Sequence, residues 1–595
     1  MRQKTRGEMD PKYQWDLSHI FENNAAWEAA LEAALQAVEG ISAYRGTLGS
    51  IQGAKAALDA YYALAEQAER IYLYAELTKA GDNGDQAAQA MQDRAMGLLV
   101  NLGAAASFLT PELAALPMET LEEYAKAEAL SGYRHGLQDI IRGRAYVLSP
   151  EQEHMLALLA DPAQTPDNAF SMLSEVDMAL PSIQDETGET VQLTHGNYGV
   201  YRESKDRGVR QRAFEAYFGA FNGYINTFAA LYGGSVKLDC YFARVRGHAS
   251  AREAALFANN VPTAVYDSLI QAVHDKLPAM ERYLALRKKV LGLSELHMYD
   301  LYCPMVQGIE ETYPLDQAKA MVQEALSPLG PDYIRQLEQG LAGGWIDAYE
   351  NKGKTTGAFS CGVYGVHPYV LLNYTDTLDD VFTLAHEMGH AVHSYRSDQA
   401  QTYANHDYAI FVAEVASTVN EVLLTLYLLE KETDPWKRAY YLNHFLEGFR
   451  TTLFRQTLFA EFEKQTHEMA EAGQPLTPDA LNQVYRDLNA QYYKGAVIDP
   501  LQDMEWARIP HFYNAFYVYQ YATGFSAAVA IATKIRQTGD AAGYLAFLQT
   551  GGSDYPIQEL KLAGVDLSKP DTVEAALDVF AKSVAELEAL LQGLE

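Results

Sequence analysis

Cysteine is scarce in this chain. Its 595 residues hold three, Cys240, Cys303 and Cys361, far apart and in no metal-binding spacing. So sparse and odd a set excludes a disulfide framework and points to a reducing compartment, so a cytoplasmic location is expected. Positive charge is scarce too: 46 Lys and Arg stand against 78 Asp and Glu, a formal net charge of −32. Nucleic-acid and anionic-membrane binding both rest on basic surface, and this balance argues against each. An uninterrupted apolar run of about twenty residues is missing, so no membrane span is expected. The opening stretch MRQKTRGEMDPKYQWDL is basic without an apolar stretch behind it, so no secretory signal is expected either. Internal repeats, low-complexity segments and the phosphate-loop pattern GxxxxGK[ST] are absent as well. Composition carries no information on oligomeric state.

What remains is a long chain of ordinary apolar content, too long for one core. At least two lobes are expected. The stretch that organises it is TLDDVFTLAHEMGHAVHSYRS, from Thr377 to Ser397. Thr377 and Asp380 read as a capping box, and Asp379 and Asp380 sit in the first turn, where acidic side chains suit the helix dipole. No proline interrupts the segment, so one continuous helix is expected. On it His386 and His390 lie one turn apart on one face. Two imidazoles so placed can bind one zinc ion, with Glu387 beside the water that completes the shell.

Two histidines do not complete a catalytic zinc site, which takes three protein ligands and one water. The next helical stretch, AIFVAEVASTVNEVLLTLYLLE from Ala409 to Glu430, is apolar nearly throughout and carries Glu414 and Glu421 in its early part. They are seven residues apart, hence on one face. A carboxylate in so apolar a helix needs a partner. Zinc is that partner for Glu414, while Glu421 can hold a ligand histidine in place. By chance alone a chain of this size and histidine content shows HExxH about one time in fifty. Glu414 by itself would be an ordinary glutamate; the capped helix, apolar flanks and acid-bearing neighbour together carry the zinc reading. His393, third on the face, is expected to support the site rather than ligate.

Along the chain, three helices are expected from Ala25 to Leu109, the third after the breaker GDNGD, then a boundary near Thr110–Pro117. Ser149-Pro150-Glu151-Gln152 is a strong helix start. IQDETGETVQLT, from Ile183 to Thr194, reads as a hairpin about Thr187-Gly188. A long helical tract follows from Tyr198 to Arg246, and another helix from Pro262 to Leu291. GKTTGAFSCGVYG, from Gly353 to Gly365, reads as a flexible loop. PYVLLNY after it, from Pro368 to Tyr374, reads as a strand whose edge an extended peptide could pair with. Pro435 is expected to start a helix reaching Ala470 and Thr477 to cap another, with helix again to Glu595. Between them His511 and Tyr519, about two helical turns apart, could point the same way as donors to an oxyanion. The competing reading of that tyrosine run is packing. The expected division is 1–112 for an N-terminal helical lobe, 113–200 for a helical and hairpin connector, and 201–595 for the catalytic domain.

The HEMGH helix, the downstream FVAEVAST, the preceding HPYVLLNY and the segment IPHFYNAFYVYQYATG together resemble oligoendopeptidase F of the thimet-oligopeptidase superfamily. KYQWDLSHIF and DRGVRQRAFEAYF extend the likeness over nearly the whole chain. The resemblance implies a mainly α, two-lobed metallopeptidase with a deep channel that admits short, unfolded peptides, and a small β element beside the HExxH helix. By position His386, His390 and Glu414 match the family's zinc ligands and Glu387 its general base. His511 and Tyr519 match best the histidine and tyrosine that stabilise the intermediate. Tyr513 and Tyr517 stay open as alternatives and as substrate contacts, and one family tyrosine falls on Phe516. The expected activity is that of a zinc metalloendopeptidase acting on oligopeptides. Two rivals are a related zinc carboxypeptidase or dipeptidyl carboxypeptidase, and a non-catalytic helical peptide carrier, which would not need Glu387.

Overall fold

Residues 3–306, 308 and 311–594 are described in the computed structural model of this chain. The expected mainly α class holds: helices dominate, with five short strands among the described residues. These are β1 (Ser182–Gln184), β2 (Thr190–Gln192), β3 (Ile346–Asp347), β4 (Phe359–Cys361) and β5 (Tyr369–Leu371). Two compact units form, each from three separated segments. One takes Met1–Ala145, Glu311–Tyr427 and Ile531–Val565; the other takes Tyr146–Glu310, Leu428–Ala530 and Asp566–Glu595. These cuts follow lines other than the sequential division at 112 and 200.

In the first unit the three expected N-terminal helices are Asn24–Ile41, Ile51–Gly81 and Gln86–Ala106, capped by the side chains of Asn23, Ser50 and Asp85. Each such cap contributes about 1 kcal/mol. Trp27, Leu31, Ala34, Val38 and Ile41 fall on the buried face of the first, and Trp27 donates its indole N–H to the Ile71 carbonyl at 2.8 Å. The chain continues helically through Leu109–Ala115, where a boundary was expected.

The β element of this unit is a three-stranded sheet of order β3-β5-β4, parallel between β3 and β5 and antiparallel between β4 and β5. It corrects two expectations. Residues 353–365 are not all loop, because Phe359–Cys361 pairs with Tyr369–Leu371. Nor is β5 a free edge, since it lies in the middle of the sheet with β3 and β4 as the outer strands.

Directly after the sheet comes the Leu378–Ala400 helix. Its capping box is formed as expected: Thr377 Oγ1 accepts from the Asp380 N–H at 3.2 Å, and Asp380 Oδ2 accepts from the Thr377 N–H at 2.9 Å. Leu384, Ala385 and Met388 are fully out of solvent; burying one leucine side chain is worth roughly 1.5–3 kcal/mol. The Ile410–Lys431 helix follows. It is one of two stretches, with Gln86–Ala115, long and apolar enough by length and composition to cross a bilayer. The sequence reading did not identify either. Most of its apolar window is buried within the chain, as befits a core helix.

The second unit holds the expected hairpin, with β1 antiparallel to β2 and Gly188 in the turn at φ +85°. The expected tract from Tyr198 to Arg246 is three helices, His195–Arg202, Arg207–Gly223 and Ile225–Arg246. The first break comes where Asp206 turns its carboxylate to cap the next helix at Gly208 and Val209. Arg210 is buried in an ion pair with Asp300 at 2.8 Å. The expected helix from Pro435 to Ala470 runs as Pro435–Gly448 and Arg455–Glu471, joined by a wider π turn at Phe449–Phe454. Thr477 caps Pro478–Tyr492 as expected. The last helix is Asp571–Leu594; Glu595, where helix was also expected, lies outside the described residues.

Candidate active site

In the first unit the helices Leu378–Ala400 and Ile410–Lys431 bring His386, His390 and Glu414 together. One donor atom from each lies within 4.8 Å of the others. Glu414 Oε2 is 3.4 Å from His386 Nε2 and 3.5 Å from His390 Nε2. Ligand atoms of a tetrahedral zinc, at about 2.0–2.1 Å from the ion, stand about 3.3 Å apart. The donor set therefore fits such an ion in both chemistry and spacing. Glu421, two turns further along the helix, accepts a hydrogen bond from His386 Nδ1. That contact fixes the tautomer and leaves Nε2 toward Glu414.

Electrostatics favour a cation here. Burial alone would lower the His386 imidazole, but hydrogen bonds to Glu414 and Glu421 overcome it and push it up to about 10. Glu414 is held far below the usual carboxylate range by hydrogen bonds from His386 and His390. With neutral imidazoles, Glu387, Glu414 and Glu421 would crowd three negative charges into one small volume. A proton on His386 relieves that crowding, and a divalent cation would take its place. Glu387 is 7% exposed, and burial raises its carboxyl above the ordinary glutamate value. That direction suits a general base.

The helices are held in close register. Asn420 donates to the Ala385 carbonyl at 3.0 Å and accepts from the Tyr333 hydroxyl at 3.0 Å. Gly389, between the two histidines, admits the close approach: a Cβ there would come 2.6 Å from Ser417 Cα and 2.8 Å from the Ala416 carbonyl oxygen. Both neighbours are backbone and cannot swing aside. Gly389→Ala should therefore cost about 1–3 kcal/mol of stability and weaken metal binding, checked by thermal unfolding and metal titration. An unchanged melting temperature would show that the helices have slack. His393 is completely buried, stacked on Tyr408 at 3.7 Å between ring centroids, and burial pushes its imidazole down to about 3. It supports the helix from within the core, outside the three-donor cluster.

The second unit carries the other candidates, and there the geometry departs from the expected spacing. Residues 510–513 form a single 3₁₀ turn, and the next helix begins at Tyr519. Between them Phe516 takes φ +57°, its N–H donating at 2.9 Å to the fully buried Glu463. His511 and Tyr519 thus share no helical face. Tyr519 is 2% exposed, its ring 5.0 Å from Tyr266, and burial raises its phenol. Tyr513 stacks on Phe170 at 4.6 Å. The tyrosines near His511 are Tyr517, stacked at 6.0 Å, and Tyr521, whose hydroxyl is 3.3 Å from His511 Nε2. Tyr521 was not singled out in the sequence. Its only signal was a position four residues past Tyr517, which the assumed helix through 511–519 obscured.

Comparison with known proteins agrees with this architecture. A sequence model of Peptidase family M3 matches residues 200–579, and one described as Oligopeptidase F matches 112–179. Oligopeptidase PepF of Bacillus subtilis (strain 168) is 44% identical, over 99% of this chain and 89% of that protein. A crystal structure from Chlamydophila abortus superposes with a TM-score of 0.94 at 36% identity, covering 99% of this chain and 100% of the other. The crystal structure of oligoendopeptidase-F from Enterococcus faecium does so with a TM-score of 0.74 at 38% identity, covering 96% and 99%.

Proposed function

Since the chain belongs to peptidase family M3, within its oligoendopeptidase F group, we propose that it is a zinc metalloendopeptidase that hydrolyses internal bonds of short, unfolded oligopeptides. The observation that carries this reading is the three-donor cluster of His386, His390 and Glu414 with Glu387 buried beside it. His386 and His390 would hold zinc through imidazole nitrogen and Glu414 through one carboxylate oxygen, with Glu421 orienting His386. Zinc would supply Lewis acidity, lowering the pKa of a water and polarising the scissile carbonyl. Glu387 takes the proton of the attacking water and later delivers it to the leaving amine. An outer strand, β4, rather than the central β5, offers backbone groups to an extended peptide.

The resemblance assigns donation to the developing oxyanion to His511 and a tyrosine, and the His511 cluster supports Tyr521 in that role, ahead of Tyr519. Tyr517 and Tyr513 are kept as substrate contacts. On this assignment Tyr521→Phe should lower kcat by roughly 10²- to 10³-fold with little change in KM, while Tyr519→Phe runs at wild-type speed. Steady-state kinetics on both variants decides it; a crippled Tyr519→Phe beside a normal Tyr521→Phe reverses the assignment. A cytoplasmic enzyme is in keeping with the free thiols of Cys240, Cys303 and Cys361.

The reading is tested by metal analysis of the purified chain together with cleavage of a peptide blocked at both ends. About one zinc per chain, internal cleavage and its loss on chelation are expected. Cleavage indifferent to chelator overturns the metallopeptidase reading. If only unblocked peptides are cut, from the C-terminus, the enzyme is the related carboxypeptidase or dipeptidyl carboxypeptidase. Binding without any cleavage would leave the peptide carrier.

A further inference from the structure

A second concentration of charge lies in the second unit, among groups the peptidase reading does not use. A cavity there is lined by the guanidinium groups of Arg202, Arg450, Arg455 and Arg508, the ring of Tyr302, and one carboxylate, Glu505. Glu505 is already engaged: it takes Arg455 at 2.6 Å and accepts from Tyr485 and Gln502. Arg450 pairs with Glu447 at 2.6 Å, but Glu447 also serves the buried Arg287. Arg202 pairs with no carboxylate among the described residues; its guanidinium lies 3.7 Å from the Tyr302 ring centroid, with that of Arg450 at 4.3 Å. Positive charge is therefore in excess.

Its donors are unsatisfied as well. Arg202 Nε, Arg450 Nη1 and Arg508 Nε are buried and make no hydrogen bond, and Arg450 as a whole is 0% exposed. Arg508 Nε has Glu505 Oε1 at 3.8 Å, an ion pair beyond hydrogen-bond reach, and three unbonded donors on crowded guanidinium groups are costly unless something negative meets them. Tyr302 registers the same field. Burial raises its phenol, yet Arg455, Arg450 and Arg202 overcome that and bring it down to about 8.

We propose that this cavity is a binding site for a small inorganic anion of the halide class, chloride above all, held by Arg202, Arg450 and Arg508. Size selects the class. Room for the centre of a water-sized sphere is ≈ 20 Å³, and one water needs about 10–15 Å³ on that measure. A monatomic anion slightly larger than water fits. A phosphate group or a peptide carboxylate with its chain does not. The bound ion takes up the idle donors and offsets the mutual repulsion of the arginines, tying the Arg202, Tyr302, Arg450 and Arg508 segments together. Its role is structural, and it is independent of the peptidase reading, since neither readout below needs a peptide.

Two measurements on the full chain test it. Crystals grown without halide and soaked in bromide should give an anomalous peak inside the cavity, within hydrogen-bond reach of Arg202 and Arg450. In solution, chloride should raise the melting temperature saturably by about 2–4 °C over gluconate at equal ionic strength. Arg202→Gln, which removes the one guanidinium without a carboxylate, should abolish that rise. An empty cavity after bromide soaking overturns the proposal. So does a chloride effect of the same size in Arg202→Gln, which would mark a general salt effect. A bromide peak without any stabilisation by chloride would mark an adventitious ion only, and overturns it too.

Discussion

Glutamine in place of Glu387 should leave the metal bound and lower kcat by about 10²- to 10⁴-fold. The amide has nearly the shape of the carboxylate, so the buried pocket stays filled, and the three donor residues are untouched. What is lost is the capacity to take a proton from water and pass it to the departing amine. Because that transfer belongs to the chemical step, the loss falls on kcat and kcat/KM together, with KM little changed. Metal content by atomic spectroscopy and steady-state peptide cleavage, on the same preparation, separate the outcomes. Near-normal cleavage removes Glu387 from the mechanism. Loss of metal with activity would instead make Glu387 part of the cation's electrostatic support.

The second large effect concerns which carboxylate on the Ile410–Lys431 helix meets the metal. Glu414→Ala should lose zinc at concentrations where Glu421→Ala still holds it, the latter weakened roughly 10- to 100-fold. Glu414 offers its oxygen to the cluster shared by His386 and His390, whereas Glu421 meets only the far nitrogen of His386. Removing the first deletes a donor, and removing the second frees an imidazole to turn. Competition titration against a chromophoric chelator ranks the two. The reverse ranking would show that the donor set is drawn from the wrong end of the helix.

These carboxylates also show why parts of the site were legible in the sequence and others were not. His386 and His390 are readable because helical periodicity is local: a cap at Thr377 and no proline suffice to put them on one face. Glu414 needs only one further step, the cost of a carboxylate in an apolar helix. Tyr521 needs more. Its approach to His511 depends on Phe516 adopting φ +57° with its N–H held by Glu463, a contact across 53 residues. No local pattern around 511–521 reports it. Strand β4 escaped for the same reason. Phe-Ser-Cys between glycines looks like loop until Leu371 and Tyr369 are placed beside it. The π turn at Phe449–Phe454 left an unbroken helical pattern, since its extra residue alters the bonding without introducing a breaker.

The interleaving of the two units bears on how the protein is made. The cover of the metal-site helices comes from far downstream: Phe547 packs on His393, Tyr544 reaches the Ala416 carbonyl, and the Gly552 N–H meets Asn405. The roughly 390 residues separating Ala145 from Ile531 take about 20 to 80 s to emerge at ribosomal rates of ~5–20 residues per second. The apolar Ile410–Lys431 helix emerges about 100 residues before Ile531, so for about 5 to 20 s of that interval it lacks the part of its cover that comes from downstream. Neither unit is complete until nearly the whole polypeptide has left the ribosome. The first segment alone carries an apolar core running from Trp27 to Leu137, so an early helical lobe precedes an apolar helix that, late in translation, waits for its cover and is then a natural client for chaperones.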